Sequence, residues 1–576
     1  MVNGFLKVYA GYRPVRRQRK SGGPENIPIA RGLPLLLRLR PIKKSGGREM
    51  IEAEIRRARR NMVGDALRRA AAVHRDRPAL HFADRDWTFA GLDRAANRVA
   101  VRLLDAGLRR GERVVTYGRN SDAYLLAWLG CLRAGMVHVP VNFTLSPPEL
   151  SYILRQCGAS MLLHDPALAE TAGAAAREAG LVMRGTLHGG DGEAVDILSA
   201  ALAAGDPVPP DEGEDTDVAQ IIYTSGTTGA PKGAALTHAG ILAQYTACII
   251  CMDYNQADRC LAALPLYHVA QMHAFTMPQL LQGAETWLME APVPEQVLAL
   301  IERHRINSFF APPTVWINLL RHPDFSARDL GSLRNLYYGA AIMPVPVLAE
   351  LRARLPGVRP FNCYGQSEMA PLATMLRPEE HDARPASVGR PVFSVETRIV
   401  DAQMRDVPPG TQGEIVHRSP HLLTSYWDKP EETARAFEGG WFHSGDIGVM
   451  DEQGYITVVD RLKDVINTGG VLVASREVEE ALFSHPAVSE VAVIAVPDAK
   501  WIEAIAAVVV LRAGASATAE ELIAHARAHL APYKLPKQVI FTETLPKNTA
   551  GKLLKRELRV IYSGTSSGAL GHGQAA

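Results

Sequence analysis

Long apolar runs are missing from this 576-residue sequence. No stretch of 18 consecutive apolar residues occurs, so a membrane-spanning helix is not expected. Cysteine is scarce: Cys131, Cys157, Cys248, Cys251, Cys260 and Cys363 are the full set, with no secretory leader ahead of them. A disulfide scaffold is therefore not expected. Cys248, Cys251 and Cys260 have no fourth ligand at zinc-like spacing, and Cys248-Ile-Ile-Cys251 sits in an apolar, helix-like run, which reads as buried thiols rather than a metal site. Net charge is small as well, at +2. It is unevenly spread: the first 48 residues hold twelve of the 63 basic residues and one of the 61 acidic ones, leaving the rest of the chain at −9. A mildly acidic body argues against nucleic acid as a partner. With 47% hydrophobic and 22% charged residues, neither wholesale disorder nor a fibrous protein fits.

Residues 1–49 read as a basic, flexible extension, with Met50 or Met62 as alternative openings of the folded part. Leu33-Pro-Leu-Leu-Leu-Arg-Leu-Arg40 in that extension suits weak contact with an anionic membrane surface. Residues 563–576 are rich in Gly, Ser and Ala and read as a disordered tail. The expected location is cytoplasmic, with peripheral membrane contact as the variant that the basic head adds.

From residue 50 to about 375 the chain alternates short apolar strands with helical spacing. Thr88 is placed to cap a helix, Glu112-Arg-Val-Val-Thr-Tyr-Gly is a strand and turn, Ser121 to Ala134 a helix, and Val137-His-Val-Pro-Val the next strand. Residues 185–216 are Gly-, Asp- and Pro-rich and read as loop. Ser308-Phe-Phe-Ala and Asn335-Leu-Tyr-Tyr-Gly are strands again. This is the cadence of an α/β fold with a mainly parallel sheet. After residue 390 come short strands between turns (Glu396-Thr-Arg-Ile-Val, Gly413-Glu-Ile-Val-His-Arg and Gly454 to Asp460), a β-rich subdomain. Beyond it lie a helix from about Ser475, strands at 491–496 and 505–511, and a helix capped by Thr518, making a small α+β unit. The expected organisation is a large N-terminal domain at 50–459 and a mobile C-terminal domain at 460–562, joined at Asp460.

The sharpest local signal is Thr224-Ser-Gly-Thr-Thr-Gly-Ala-Pro-Lys-Gly233, which follows a strand-like Ile-Ile-Tyr. Gly226, Gly229 and Gly233 let backbone N–H groups approach anionic oxygens; Thr224, Ser225, Thr227 and Thr228 add hydroxyls, and Lys232 adds a positive charge. That chemistry suits a polyphosphate. It is not a Walker A loop, because Gly233 follows Lys232 where that motif needs Ser or Thr.

The loop resembles the phosphate loop of the adenylate-forming (AMP-binding) superfamily, nearest in type to fatty acyl-CoA synthetases, and further stretches resemble that superfamily in its own order. Pro265-Leu-Tyr-His268 resembles its P-L-F-H segment, which implies that His268 lines the acyl pocket near the carboxylate. Tyr338-Gly339-Ala340-Ala341 resembles the turn beside adenine and acyl group. Tyr364-Gly365-Gln-Ser367-Glu368 resembles Y-G-x-[ST]-E, implying Tyr364 on adenine, Ser367 by the phosphates and Glu368 as the Mg²⁺ ligand. A carboxylate beside polyphosphate needs a hard cation between them. Trp441-Phe-His-Ser-Gly-Asp446 resembles W-x-x-[ST]-G-D, implying that Asp446 accepts both ribose hydroxyls, as an acceptor-only carboxylate can. Asp460-Arg461-Leu-Lys-Asp464 resembles the hinge, with Arg461 reaching ribose or phosphate. Pro546-Lys-Asn-Thr-Ala-Gly-Lys552 resembles the segment whose lysine serves the first half-reaction.

The resemblance implies catalytic roles for Lys552, Glu368, Thr224 and His268, with Gly469 and Gly470 in the segment that meets the thiol acceptor. It also implies ATP, Mg²⁺ and CoA as co-substrate. There are two departures: after Gly470, Val471 and Leu472 replace polar residues and Ser475 replaces proline, and Asn467 stands where Lys or Ser is common. The implied reaction joins a fatty or other apolar carboxylic acid to AMP with pyrophosphate release, and then to CoA. A carrier-protein acceptor, an amino-acid-activating domain and a nonenzymatic lipid or nucleotide sensor are the alternatives. Met272, Phe309, Phe310, Trp316 and Ile342 are expected along the acyl pocket, which leaves open chain length and a ring-bearing acid; a homodimer is compatible with all of this.

Overall fold

The computed structural model of this chain describes residues 47–190, 193–210, 213–224, 230–341, 343–468, 471–498, 501–549 and 551–562. The basic head before residue 47, Ser225, Gly226, Thr227, Thr228, Gly229, Ile342, Gly469, Gly470 and the tail after 562 lie outside the described residues. Residues to Ala58 form one unit, described only from residue 47, where the helix Gly47–Arg59 begins; Arg59–Ala576 form the other.

The period of the sequence pattern becomes layered α/β structure. In the larger unit, one sheet is built on the parallel strands Pro78–Phe82, Glu285–Leu288, Arg259–Ala262, Ser308–Phe310, Asn335–Gly339 and Arg359–Gly365, with antiparallel strands at both edges. A second is built on Val218–Thr224, Val137–Val141, Arg113–Tyr117, Ala159–His164 and Arg184–Thr186, all parallel, with Lys232–Thr237 antiparallel at one side. Strands of this kind are buried on both faces: Val137–Val141 is buried throughout, which is why it reads as a nearly continuous apolar run. Asp122–Arg133 is likewise buried at every position, between the helices and strands of the first core.

The antiparallel strands Glu396–Val400, Gly413–Arg418, Phe442–Met450 and Ile456–Arg461 form a smaller sheet. Beyond it the chain builds an α+β layer on Val488–Asp498 and Ile502–Leu511. In that pair Val491 and Val493 face one core and Ala492 and Ile494 face another, so helices cover both sides: Ser475–Phe483 and Ala519–Arg527 on the first, Lys555–Tyr562 on the second. Thr518 caps its helix as the sequence indicates, accepting from Glu521 N at 3.2 Å.

One stretch departs from expectation. Residues 185–216 are not all loop: they include part of the strand Arg184–Thr186 and the helix Ile197–Leu202. Asp196 caps that helix by accepting from Ser199 N at 2.8 Å, and Val195, Ile197 and Ala201 are buried in the first core. Three well-placed apolar side chains and a cap outweigh the turn-rich composition around them.

Candidate active site

The C-terminal ends of the parallel strands open into a cleft of about 1680 Å³. Thr224 ends its strand and pairs across the hairpin with Lys232, so the two flank the Ser/Thr/Gly loop. The short strand Ser425–Tyr426 adds antiparallel to Lys232–Thr237 and brings Tyr426 over the same spot, with Lys232 Nζ 5.3 Å from its ring centre. Glu368, on the short helical turn Ser367–Met369, is buried; its Oε1 accepts from Thr224 Oγ1 at 3.3 Å and from Tyr426 OH at 3.0 Å. Among the described residues no lysine or arginine forms an ion pair with Glu368, and no cluster of three His, Cys, Asp or Glu side chains could hold a metal by itself. A single carboxylate with free lone pairs fits Mg²⁺, which takes few protein ligands and completes its shell with water and phosphate oxygens.

Tyr364 and Gly365 end the strand Arg359–Gly365. A Cβ at Gly365 would stand 1.9 Å from Pro371 O, and one at Gly339 2.2 Å from Cys363 O, so both positions admit only glycine. The exposed Ala340 lines the cleft just beyond, with φ +62°, and Ala341 follows it, also exposed. Ser367 lines the cleft too. The Asp446 carboxylate, buried at the register position opposite Arg461, accepts from Tyr364 OH at 2.7 Å and stands 3.5 Å from Arg461 Nε. Burial and this carboxylate push the Tyr364 phenol well above its ordinary value, so it is a donor here.

Lys552 enters the cleft on a tight turn. Asn548 and Lys552 bond reciprocally, Lys552 N to Asn548 Oδ1 at 2.8 Å and Asn548 N to Lys552 O at 2.9 Å. Gly551 supplies the left-handed residue at φ +78°. The turn is seated against the larger domain: Thr314 Oγ1 donates to Gly551 O at 2.9 Å, and the Tyr267 and Thr549 hydroxyls meet. Desolvation, with Arg461 next in weight, lowers the Lys552 ammonium to about 7. His268, half-buried beside it, is brought down to about 4, by desolvation first and Lys552 second. Its Nδ1 accepts from Ala270 N at 3.4 Å, which leaves the neutral ring's proton on Nε2.

The acyl end differs in part from expectation. Phe310 lines the cleft, but Met272, Phe309 and Trp316 do not; they are buried in the core. Phe309 and Phe310 alternate across their strand, so only one can face the cleft, and Trp316 turns inward to donate from Nε1 to Tyr337 O at 3.2 Å. In their place the widened π-helical turn Ala270–Thr276 contributes Ala270, Ala274 and Phe275, the last stacked on Phe310 with centroids 4.0 Å apart and planes 12° apart. Tyr426 belongs to no local motif, and the Tyr267–Thr549 contact joins two motifs far apart in the chain; both follow only from strand order and domain packing.

The segment around Asp460, expected from the sequence to be a hinge, is also tied down. Asp460 Oδ2 accepts from Ser475 N at 2.6 Å and Ser475 Oγ at 2.8 Å, and its Oδ1 from Arg461 N at 2.7 Å. Lys555 Nζ bonds Ser475 Oγ at 2.6 Å and pairs with Glu479 at 2.7 Å.

Comparison with known proteins agrees with this layout. Residues 67–427 match the family described as AMP-binding enzyme, and residues 477–552 match the AMP-binding enzyme C-terminal domain. A feruloyl-CoA synthase of an Amycolatopsis species is 40% identical over 82% of this chain and 93% of its own. A long-chain-fatty-acid–CoA ligase of Bacillus subtilis is 33% identical over 85% of this chain and 92% of its own. The crystal structure of the anthranilate CoA ligase AuaEII in complex with anthranoyl-AMP superposes with a TM-score of 0.82 at 28% identity, covering 87% of this chain and 97% of that one. The charged cleft, the lysine-bearing turn and two matched family domains place this chain in the AMP-binding enzyme family of adenylate-forming acid–CoA ligases.

Proposed function

We propose that the chain activates a ring-bearing carboxylic acid, of the arylpropenoic kind, to its acyl-adenylate and then transfers it to CoA. Enzymes of this family use ATP, Mg²⁺ and CoA as co-substrate. The stacked Phe275–Phe310 pair on the cleft carries the substrate reading. A flat aromatic wall favours a planar ring, which gains offset or edge contacts that a flexible chain does not. The feruloyl-CoA synthase relative supports the same choice over the fatty acid put first by the sequence.

In the first half-reaction the acid carboxylate attacks the α-phosphorus of ATP, forming the acyl–phosphate bond as the bond to pyrophosphate breaks. Thr224 and the loop after it would hold the phosphates, Glu368 would hold Mg²⁺, and Asp446 would accept the ribose hydroxyls once Tyr364 yields its place. The cation supplies charge neutralisation at the phosphates when bound. Lys552 would meet the developing negative charge as a mobile point charge, and neutral His268 would steer the acid carboxylate by donating from Nε2. The domain from Asp460 onward would then turn about that residue, withdrawing Lys552 and admitting the segment 465–475 with the CoA thiol. The thiol attacks the acyl carbonyl, its proton goes to solvent, and AMP leaves. Two half-reactions that need different surfaces at one carbonyl account for a hinged second domain.

Pyrophosphate release across a panel of acids, with and without CoA, tests this. Arylpropenoic acids are expected to exceed straight-chain acids in kcat/KM; a preference for straight chains would overturn the substrate reading and leave the adenylation chemistry standing.

A further inference from the structure

The turn that carries Lys552 is pressed against the larger domain on two sides, and each side adjoins the acyl end of the cleft. On the first, a Cβ at Gly551 would stand 2.6 Å from Thr314 Oγ1 and 3.2 Å from Pro312 Cγ, so the backbone of the turn itself makes the contact. Thr314 Oγ1 uses that approach to donate to Gly551 O. Pro312 and Thr314 follow closely on the strand Ser308–Phe310, whose last residue lines the cleft. On the second side stands Tyr267, next to His268 in the chain. Its hydroxyl meets that of Thr549, and Thr549 Oγ1 reaches on to Asn142 Oδ1 at 3.5 Å. Asn142 is held in turn, because its Oδ1 accepts from Thr144 N and Thr144 Oγ1, each at 3.0 Å.

The direction of these bonds follows from their far end. An amide oxygen only accepts, so Thr549 gives its proton to Asn142 and Tyr267 gives its own to Thr549. Burial pushes the Tyr267 phenol above its ordinary value and keeps that proton in place. The ring of Tyr267 has a different anchor. It lies edge-on to Phe143, with centroids 6.0 Å apart and planes 80° apart. Ring and hydroxyl therefore have separate tasks: the ring packs within the larger domain, and the hydroxyl bonds across to the segment that brings Lys552. That bond exists only while the turn sits in the cleft.

We propose that Tyr267 is a positioning residue for Lys552: its hydroxyl latches the lysine-bearing turn into the cleft for acyl-adenylate formation and lets go before the thiol attacks. This rests on the reading of Lys552 and of the turning domain given above. The bond is made in the transition state of the first half-reaction and broken in that of the second, so it favours the first over the second. A contact that only stabilised the fold would serve both alike.

The test measures kcat/KM for acid-dependent pyrophosphate release and for thioester formation from supplied acyl-AMP and CoA. The acid is 3-(4-hydroxyphenyl)propenoic acid, or hexadecanoic acid should the panel favour straight chains. Taking both rates as kcat/KM cancels the free enzyme from their ratio, which then sets one transition state against the other. Tyr267→Phe keeps the ring and removes the hydroxyl. It is expected to shift the ratio toward thioester formation by about three- to tenfold, the scale of one hydrogen bond. Thr549→Val should shift it as far, Thr549→Ser should leave it near the wild-type value, and Tyr267→Phe combined with Thr549→Val should shift it no further than either alone. An unchanged ratio in Tyr267→Phe, or shifts that add in the double variant, overturns the inference and leaves the role of Lys552 standing. Equal losses in the two half-reactions of Lys552→Ala overturn that role and the inference with it.

Discussion

Two polar regions border the acyl end of the cleft, and they are built on opposite terms. Behind it, the Tyr245–His273–Gln220–His138–Thr116 chain pairs each of its side-chain contacts with another, and burial holds both imidazoles neutral at about 3. In front of it, Glu368, Asp446 and Lys552 are ionisable groups with few protein partners that line the open cleft. The first region is complete without a ligand and fixes the turn that carries Ala274 and Phe275. The second is incomplete without one, and its groups are of the kinds that phosphate, cation and ribose would satisfy. Residues of similar burial thus divide into scaffold and site by whether their bonds are already made.

The sharpest way to break that division is at the charged end. Lys552→Ala should lower acid-dependent pyrophosphate release by about 10²–10³-fold, the scale of losing one transition-state donor, while thioester formation from supplied acyl-AMP falls by less than about threefold. Equal losses in the two half-reactions would return Lys552 to the scaffold class.

Proton uptake sharpens the same point. Burial lowers the Lys552 ammonium to about 7 from 10.5, so holding the charge there is most costly below pH 7 and the cost is relieved as pH rises toward 10.5. Bound phosphates would favour the cation and raise the value again. ATP binding at pH 8 should therefore take up close to one proton, read by calorimetry in buffers of different ionisation heat, and Lys552→Met should abolish it. Uptake that persists in the variant belongs to another group.

A change in the scaffold region should act differently. His273→Phe strands Tyr245 OH and Gln220 Oε1, each buried, and should lower stability by about 1–3 kcal/mol, seen as a lower Tm, with a smaller effect on the KM for ATP. If ATP binding suffers more than Tm, the chain is part of the site. The smallest effect is expected at the hinge. Ser475→Ala removes one of the three donors to Asp460, about 1 kcal/mol, and should change the ratio of the two half-reaction rates by a few-fold. An unchanged ratio would mean that the Asp460–Ser475 bond does not bias the domain.

The charged end was legible in the sequence because its chemistry dictates residue types over short stretches. Thr224, Glu368, Asp446, Arg461 and Lys552 each belong to such a stretch, and the fold brings them to one cleft. Ser225 to Gly229, Gly469 and Gly470 lie outside the described residues. The acyl end was only partly legible, since an apolar residue reads alike in a pocket or a core. Phe310 could not be told from Phe309 without knowing which face of the sheet meets the cleft, and Met272 and Trp316 are core. Tyr426 sits in its place only because a two-residue strand pairs with a hairpin almost 200 positions earlier. For the fold, the α/β cadence and the change of texture after residue 390 were readable from period and turn chemistry, whereas the helix Ile197–Leu202 was hidden by the Gly- and Pro-rich residues around it.

The central claim is that this cleft forms an acyl-adenylate before CoA takes part. Exchange of labelled pyrophosphate into ATP, run with wild-type protein, Mg²⁺ and 3-(4-hydroxyphenyl)propenoic acid but without CoA, tests it most directly. The account predicts exchange that requires the acid and the metal and is lost in Lys552→Ala; no exchange with any carboxylic acid, or exchange that appears only when CoA is added, would contradict it.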